Sequence, residues 1–167
     1  MTERYFKNEY IYQGAGFPVT LLKFPFRKVG EREVLDVDTE KLDLAIAQAV
    51  LCKPAFLSGK EIRFLRLLLG QSLREFGGNM GSSAATIKKW EDVEDKLLES
   101  PTTDFSIRNF VAGQLHQRHK INMEFAYHRE AIQASRFWGP QPLQIPFETV
   151  LHSLRSRRAP AIGTSNS

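Results

Sequence analysis

Twice in this chain a serine stands three residues ahead of a glutamate: Ser58 before Glu61, and Ser72 before Glu75. Each pair can form a reciprocal helix cap, the hydroxyl taking the amide of the glutamate and the carboxylate taking the serine's own amide. A third start, Ser82-Ser83, leads into Ala84-Ala85-Thr86-Ile87-Lys88-Lys89-Trp90-Glu91, where hydroxyls, small methyl groups and two ammonium groups follow one another. These groups can hydrogen-bond and attract anions, but none is a nucleophile with a base beside it. His116, His119 and His128 lie close in sequence and Cys52 is the single cysteine. A structural zinc site usually takes several cysteines at CxxC spacing, so the histidines read as solvated groups on a helix face and no metal is expected. The chain has no Gly-rich phosphate loop, HExxH or nucleophile elbow. Glu130 and Glu148 are isolated carboxylates, and Met123, Phe125 and Tyr127 read as core or interface. The expectation is a protein that is not an enzyme and needs no cofactor.

The elements that would hold these groups follow from periodicity and punctuation. With 167 residues, 42% of them hydrophobic, the chain has the composition of a folded protein with room for a core. The net charge of +4 is compatible with a nucleic-acid partner and decides little alone. The N-terminus has neither a signal-peptide nor a transit-peptide pattern, and no apolar run approaches the ~18–20 residues that span a bilayer. The expectation is therefore a soluble, cytoplasmic protein.

Up to Asp36 the pattern is β. Tyr10-Ile11-Tyr12, Phe17 to Phe24 and Glu33 to Val37 read as short strands separated by turns at Gly14-Ala15-Gly16 and Gly30. Pro18 and Pro25 lack an amide donor, which predicts edge positions. A helix is predicted from Thr39 to Cys52, capped by Asp38 or Thr39, with Leu42, Ile46, Ala49 and Val50 on one face and Pro54 beyond its end. The first serine–glutamate pair starts a helix carrying Ile62, Leu65, Leu68 and Leu69, which stops at Gly70. The second starts a short helix ending near Asn79-Met80-Gly81, and Ser83 opens the third. After Ser100-Pro101, Thr102 or Thr103 is expected to cap a helix with Ile107, Phe110, Val111 and Leu115 in a stripe. Ile121 to Phe137 forms another amphipathic stretch, Gly139-Pro140-Gln141-Pro142 ends it, and Pro146 to Leu154 reads as one last short helix. The expected fold is mostly α with a small N-terminal antiparallel β segment, that is, α+β around a helix-turn-helix bundle. In segments, 1–37 is β and a possible dimer or partner surface. Residues 38–117 are the helical domain with its core motif at 58–91, 118–154 are a C-terminal helical extension, and 155–167 are a disordered basic tail.

Three short helices with polar caps joined by glycine turns are helix-turn-helix punctuation. The stretch from Leu57 to Glu91 also resembles the Cro/phage-repressor (XRE) family, and more narrowly the DNA-binding half of MqsA-type antitoxins without their zinc domain. The likeness rests on Leu57-Ser58-Gly59-x-Glu61-Ile62-Arg63-Phe64-Leu65-Arg66, on Gly81-Ser82-Ser83-x-x-Thr86-Ile87 and on Trp90-Glu91. Tyr10-Ile11-Tyr12 and the GAGFPVTLL that follows are similar to the β segment that precedes this domain in that group. The resemblance implies that Leu65, Leu69, Leu73, Phe76, Ile87 and Trp90 form a small core. It implies that Gly77, at a position usually alanine, marks a close approach of two helices, and that Arg66 and Glu91 form a structural ion pair. It also implies that the helix at 83–91 enters the major groove of double-stranded DNA. Ser83, Ala84, Ala85, Thr86 and Lys89 would then face bases, Lys88 would face phosphate, and Ser72 with Arg74 would offer a second phosphate contact at the start of the preceding helix.

Two features temper this reading. Ala84 and Ala85 stand where long polar side chains often read bases, so readout would depend more on phosphates and DNA shape. Asp92, Glu94 and Asp95 follow the reading helix and would repel a phosphate backbone. The function implied is a sequence-specific transcriptional regulator, a repressor or antitoxin-like homodimer with a possible toxin partner. The alternative is a protein-interaction module that keeps the fold without strong DNA reading.

Overall fold

The computed structural model describes residues 3–120 and 143–155. The strands are β1 (Arg4–Tyr12), β2 (Val19–Val29), β3 (Arg32–Leu35) and β4 (Leu143–Pro146). The helices are α1 (Thr39–Cys52), α2 (Gly59–Leu68), α3 (Leu73–Asn79), α4 (Ala84–Glu91), α5 (Pro101–His119) and α6 (Phe147–Arg155). This is an α+β fold. The expected stretch over 121–137, the stop at 139–142 and the basic tail from Ser156 onward lie outside the described residues.

The sheet is built on β2. It pairs antiparallel with β1 along one edge, and on its other edge with two short strands end to end. β3 takes Phe26 to Val29 antiparallel, and β4 takes Val19 to Leu22 parallel. The two-residue turn between β2 and β3 uses Gly30 at φ 64°, the left-handed region that glycine adopts without steric cost.

Pro25 corrects an expectation. It lies not in an edge strand but in the central one, opposite Phe6. Its carbonyl accepts from the Asp36 amide at 2.9 Å, beyond the end of β3, while β4 stops at the level of Leu22. The missing N–H therefore falls in the gap between β3 and β4, where no ladder partner needs it. Two residues earlier, Lys23 takes φ 57° and breaks the in–out alternation, so that burial passes from Val19 and Leu21 to Phe24, Pro25 and Phe26.

Helix α1 begins where expected. The Asp38 carboxylate accepts from the amides of Glu40 (3.0 Å) and Lys41 (3.4 Å). Its burial exceeds one stripe: Leu42, Leu44, Ala45, Ile46, Ala47, Val50 and Leu51 are all buried. The helix touches β4 and α6 on one hand and α2 on the other, so nearly every side is covered. One hydrophobic cluster runs without a break from Val19, Leu21 and Ile145, through α1, to Leu65, Phe76, Ile87 and Leu115. Residues 3–37 and 38–117 are thus segments of chain around a shared core.

Helix α5 starts two or three residues earlier than its threonines suggest. Ser100 is the cap, accepting from the Thr103 amide at 3.3 Å, and Pro101 is the first helical residue. Proline is suited to that position because its missing amide would have no intrahelical partner there.

Candidate nucleic-acid interface

Both reciprocal caps form. The Glu61 amide donates to Ser58 Oγ (3.3 Å) and the Ser58 amide to Glu61 Oε2 (2.8 Å). The Glu75 amide donates to Ser72 Oγ (3.2 Å) and the Ser72 amide to Glu75 Oε2 (2.7 Å). At α4 the Thr86 amide donates to Ser83 Oγ (3.1 Å), and the two hydroxyls lie 2.9 Å apart. These caps satisfy amides that have no partner inside their helices. They also set where α2, α3 and α4 begin, and hence which side chains lead each helix.

The turn between α3 and α4 is tight. Gly81 has φ 66°, and the Ser82 amide bonds to the Gly77 carbonyl at 2.8 Å. A Cβ on Gly77 would lie 2.9 Å from the Ser82 carbonyl oxygen and 3.0 Å from the Ser83 carbonyl carbon. Both are backbone atoms that cannot swing away, so this site admits no alanine without separating the helices. Leu65, Leu69, Phe76 and Ile87 fill the space between α2, α3 and α4, with Leu73 and Trp90 partly buried against them. From α5, the Phe110 ring meets Phe76 edge-on at 5.6 Å, and Arg118 Nη1 donates to the Leu69 carbonyl at 2.5 Å.

Arg66 and Glu91, on α2 and α4, meet and are both buried. Arg66 Nε lies 2.5 Å from Glu91 Oε1 and Nη2 lies 3.1 Å from Oε2, while Nη1 donates to the Gln71 carbonyl at 2.8 Å. One planar guanidinium thereby joins the end of α4 to α2 and to the α2–α3 turn. Such two-pronged pairs fix orientation as well as distance.

The groups expected to meet DNA are mostly open to solvent. Ser72, Arg74, Ser83, Ala85, Lys88 and Lys89 are exposed, whereas Ala84 and Thr86 are half-buried. Two details modify their chemistry. Lys88 forms an ion pair with Asp92 one turn on. At the start of α3, Glu75 holds the Ser72 amide, and those hydrogen bonds keep its carboxyl below the usual range. A phosphate arriving there would meet a fixed negative charge with Arg74 beside it. Asp92, Glu94 and Asp95 are exposed, and Asp95 pairs with Lys60 at 3.0 Å.

Several residues that hold this unit in place were not singled out from the sequence. Asp104 and Arg108 are wholly buried on α5. Asp104 Oδ1 accepts from the Leu57 amide and Oδ2 from Arg108 Nε, both at 2.8 Å. Arg108 Nη1 donates to the carbonyls of Leu51 (2.6 Å), Val50 (3.2 Å) and Lys53 (3.2 Å), and Nη2 donates to that of Ala55. The signal was present: Asp104 and Arg108 fall on the same helical stripe as Ile107, Val111 and Leu115, where a charge has no reason to be unless it is paired. Lys53 closes the α2 cap from outside, 2.6 Å from Glu61 Oε2.

Gly59 is the other. A Cβ there would sit 2.6 Å from the Glu91 carbonyl oxygen and 2.7 Å from both the Trp90 carbonyl oxygen and the Glu94 amide nitrogen. The start of α2 thus rests directly on the end of α4. Gly59→Ala is expected to cost about 1–3 kcal/mol, the usual range for overpacking, although alanine is the better helix former. Urea denaturation would check it; equal or greater stability would mean that α4 does not lie against Gly59.

Comparison of the chain with protein-family models, with curated proteins and with solved structures returns no match. Among the described residues no helix is long and apolar enough to cross a membrane.

Proposed function

We propose that α2, α3 and α4 bind double-stranded DNA, with α4 in the major groove, and that the protein is a sequence-specific transcriptional regulator acting as a homodimer in the cytoplasm. The observation that carries this reading is the mounting of α4. Its cap and the Gly77–Ser82 turn hold the start of the helix, and Gly59 and the Arg66–Glu91 pair hold its end against α2, yet Ser83, Ala85, Lys88 and Lys89 are left exposed. A short helix held rigidly with its polar face uncovered is suited to presenting side chains to a groove. The small side chains at 84 and 85 fit contact with thymine methyl groups and leave much of the affinity to phosphates and DNA shape. No catalysis is assigned to the protein.

A second reading has its own observation. Lys88 is already paired with Asp92, and three acidic side chains stand exposed just beyond α4. Those features suit a basic protein partner, such as a toxin, better than a phosphate backbone. Fluorescence anisotropy separates the two readings. With duplex DNA from upstream of the protein's own gene, affinity should exceed that for scrambled duplex and fall steeply with salt. Lys89→Ala should weaken binding by about 1–3 kcal/mol and relax preference at one base step. Lys88→Ala should weaken all sequences alike and lower the salt slope by about 1. Equal affinity for both duplexes, unaffected by either substitution, would discard DNA reading in favour of the interaction module.

A further inference from the structure

We propose that a cleft between the β1–β2 turn, α1 and α2 binds a free α-amino acid with an apolar side chain, its ammonium held by Asp43 and its carboxylate by Arg63. The inference rests on this cleft alone and holds whether or not α4 meets DNA. Helix α2 has two stripes. Ile62, Leu65 and Arg66 are buried in the fold, whereas Lys60, Arg63, Phe64, Leu67 and Leu68 recur at helical spacing on the neighbouring side and line the cleft. Gly14, Ala15 and Gly16 of the turn, Asp43 of α1 and the end of α4 supply its other walls. Its volume is about 610 Å³, within the range that small-molecule sites occupy.

The α2 side of the cleft is partly apolar. Phe64 is fixed by Phe17, whose ring meets it edge-on at 5.6 Å, and Leu67 one turn on is 56% exposed. An apolar side chain laid there removes Leu67 from water. Asp43 is half-buried, and burial pushes its carboxyl above the usual range with no cation close enough to lower it. Such a carboxylate has already lost much of its water, so an arriving ammonium is a net gain. The Arg63 guanidinium is exposed, weakly hydrated and shaped to take a carboxylate with two parallel hydrogen bonds. Neither side chain has an ion-pair or hydrogen-bond partner among the described residues, and they do not pair with each other. The remaining charges are engaged or fully hydrated. Lys60 pairs with Asp95, Glu91 with Arg66 and Asp92 with Lys88, while Glu94 is exposed and gains little from a partner. A free amino acid carries the two complementary charges on one carbon, whereas a residue inside a peptide carries neither.

The test is isothermal titration of the full chain with L-phenylalanine and with L-leucine, in the absence of DNA. Both should bind with dissociation constants below about 1 mM. Phenylalaninamide lacks the carboxylate and N-acetylphenylalanine lacks the ammonium, and each should bind about tenfold more weakly than phenylalanine. Arg63→Met should weaken phenylalanine about tenfold and leave the amide unchanged. Asp43→Asn should weaken phenylalanine to the same extent and leave the N-acetyl compound unchanged. Glu94→Gln should change affinity by less than about twofold. Leu67→Ser, at an exposed position, should weaken phenylalanine while keeping the parent's urea midpoint, so that lost binding is read apart from lost folding. Absence of binding by both amino acids overturns the proposal. So does equal affinity for phenylalanine and its amide, or unchanged affinity in the Arg63→Met and Asp43→Asn proteins.

Discussion

Arg108→Met is expected to destabilise the protein by about 3–5 kcal/mol, the cost of removing one partner of a buried ion pair. The residue is 1% exposed and its side chain fills two gaps at once. Helix α1 ends at Cys52 with Lys53 in extended geometry, so its last carbonyls lack helical partners. The Arg108 fork takes those of Val50 and Leu51, then continues along the connecting loop to Lys53 and Ala55. Methionine would fill a similar volume but would leave these acceptors without their donor and the Asp104 carboxylate buried without its counter-charge, held only by the Leu57 amide. Arg108→Lys should rescue little, because one compact ammonium cannot span four carbonyls and a carboxylate. Asp104→Leu combined with Arg108→Met should cost less than the two single changes added together, since the stranded charge is gone. Urea denaturation gives the measurement, as a fall in midpoint at unchanged slope. A midpoint equal to the parent's would show that α5 is not clamped to the end of α1. With total stability of a domain commonly about 5–15 kcal/mol, the expected loss is large enough to be seen as poor expression.

Arg66→Met carries the second large effect, again about 3–5 kcal/mol by the same reasoning. What distinguishes it is where the damage falls. Glu91 closes α4 and sits 7% exposed against α2, so a carboxylate without its guanidinium would seek water by moving the helix end outward. Hydrogen exchange should therefore accelerate at the α4 amides before those of α1 or β2, which belong to the larger core. Glu91→Gln keeps the shape and loses the charge, and it should cost less than Arg66→Met while still loosening α4. If DNA binding is the function, both changes should weaken it at temperatures where the chain is still folded, because the groups at the front of α4 would no longer be held. Uniform acceleration of exchange across the protein would argue that the pair stabilises the fold as a whole and does not position α4 in particular.

The two sites differ in how far they could be read in advance. The Arg66–Glu91 pairing follows from a likeness in the motif from Leu57 to Glu91, and the starts of α1, α2, α3 and α4 follow from Asp38, Ser58, Ser72 and Ser83. Those caps are hydrogen bonds spanning two or three residues, and the glycines at 70 and 81 act on their own φ angles. Chemistry of such short range is written in neighbouring letters, and the α+β class with it. The contacts that assemble the unit span longer distances. Arg108 reaches back 58 residues to Val50, Asp104 reaches 47 to Leu57, and Gly59 is held to glycine by a backbone more than thirty residues downstream. β4 joins β2 in parallel across most of the chain's length, and it is this pairing that leaves the gap in which Pro25 can occupy a central strand. Local hydrogen bonding determined where the helices start and stop. Only packing between distant segments decided which of them touch, which charges must be buried in pairs, and why a side chain at Gly59 or Gly77 would push backbone apart.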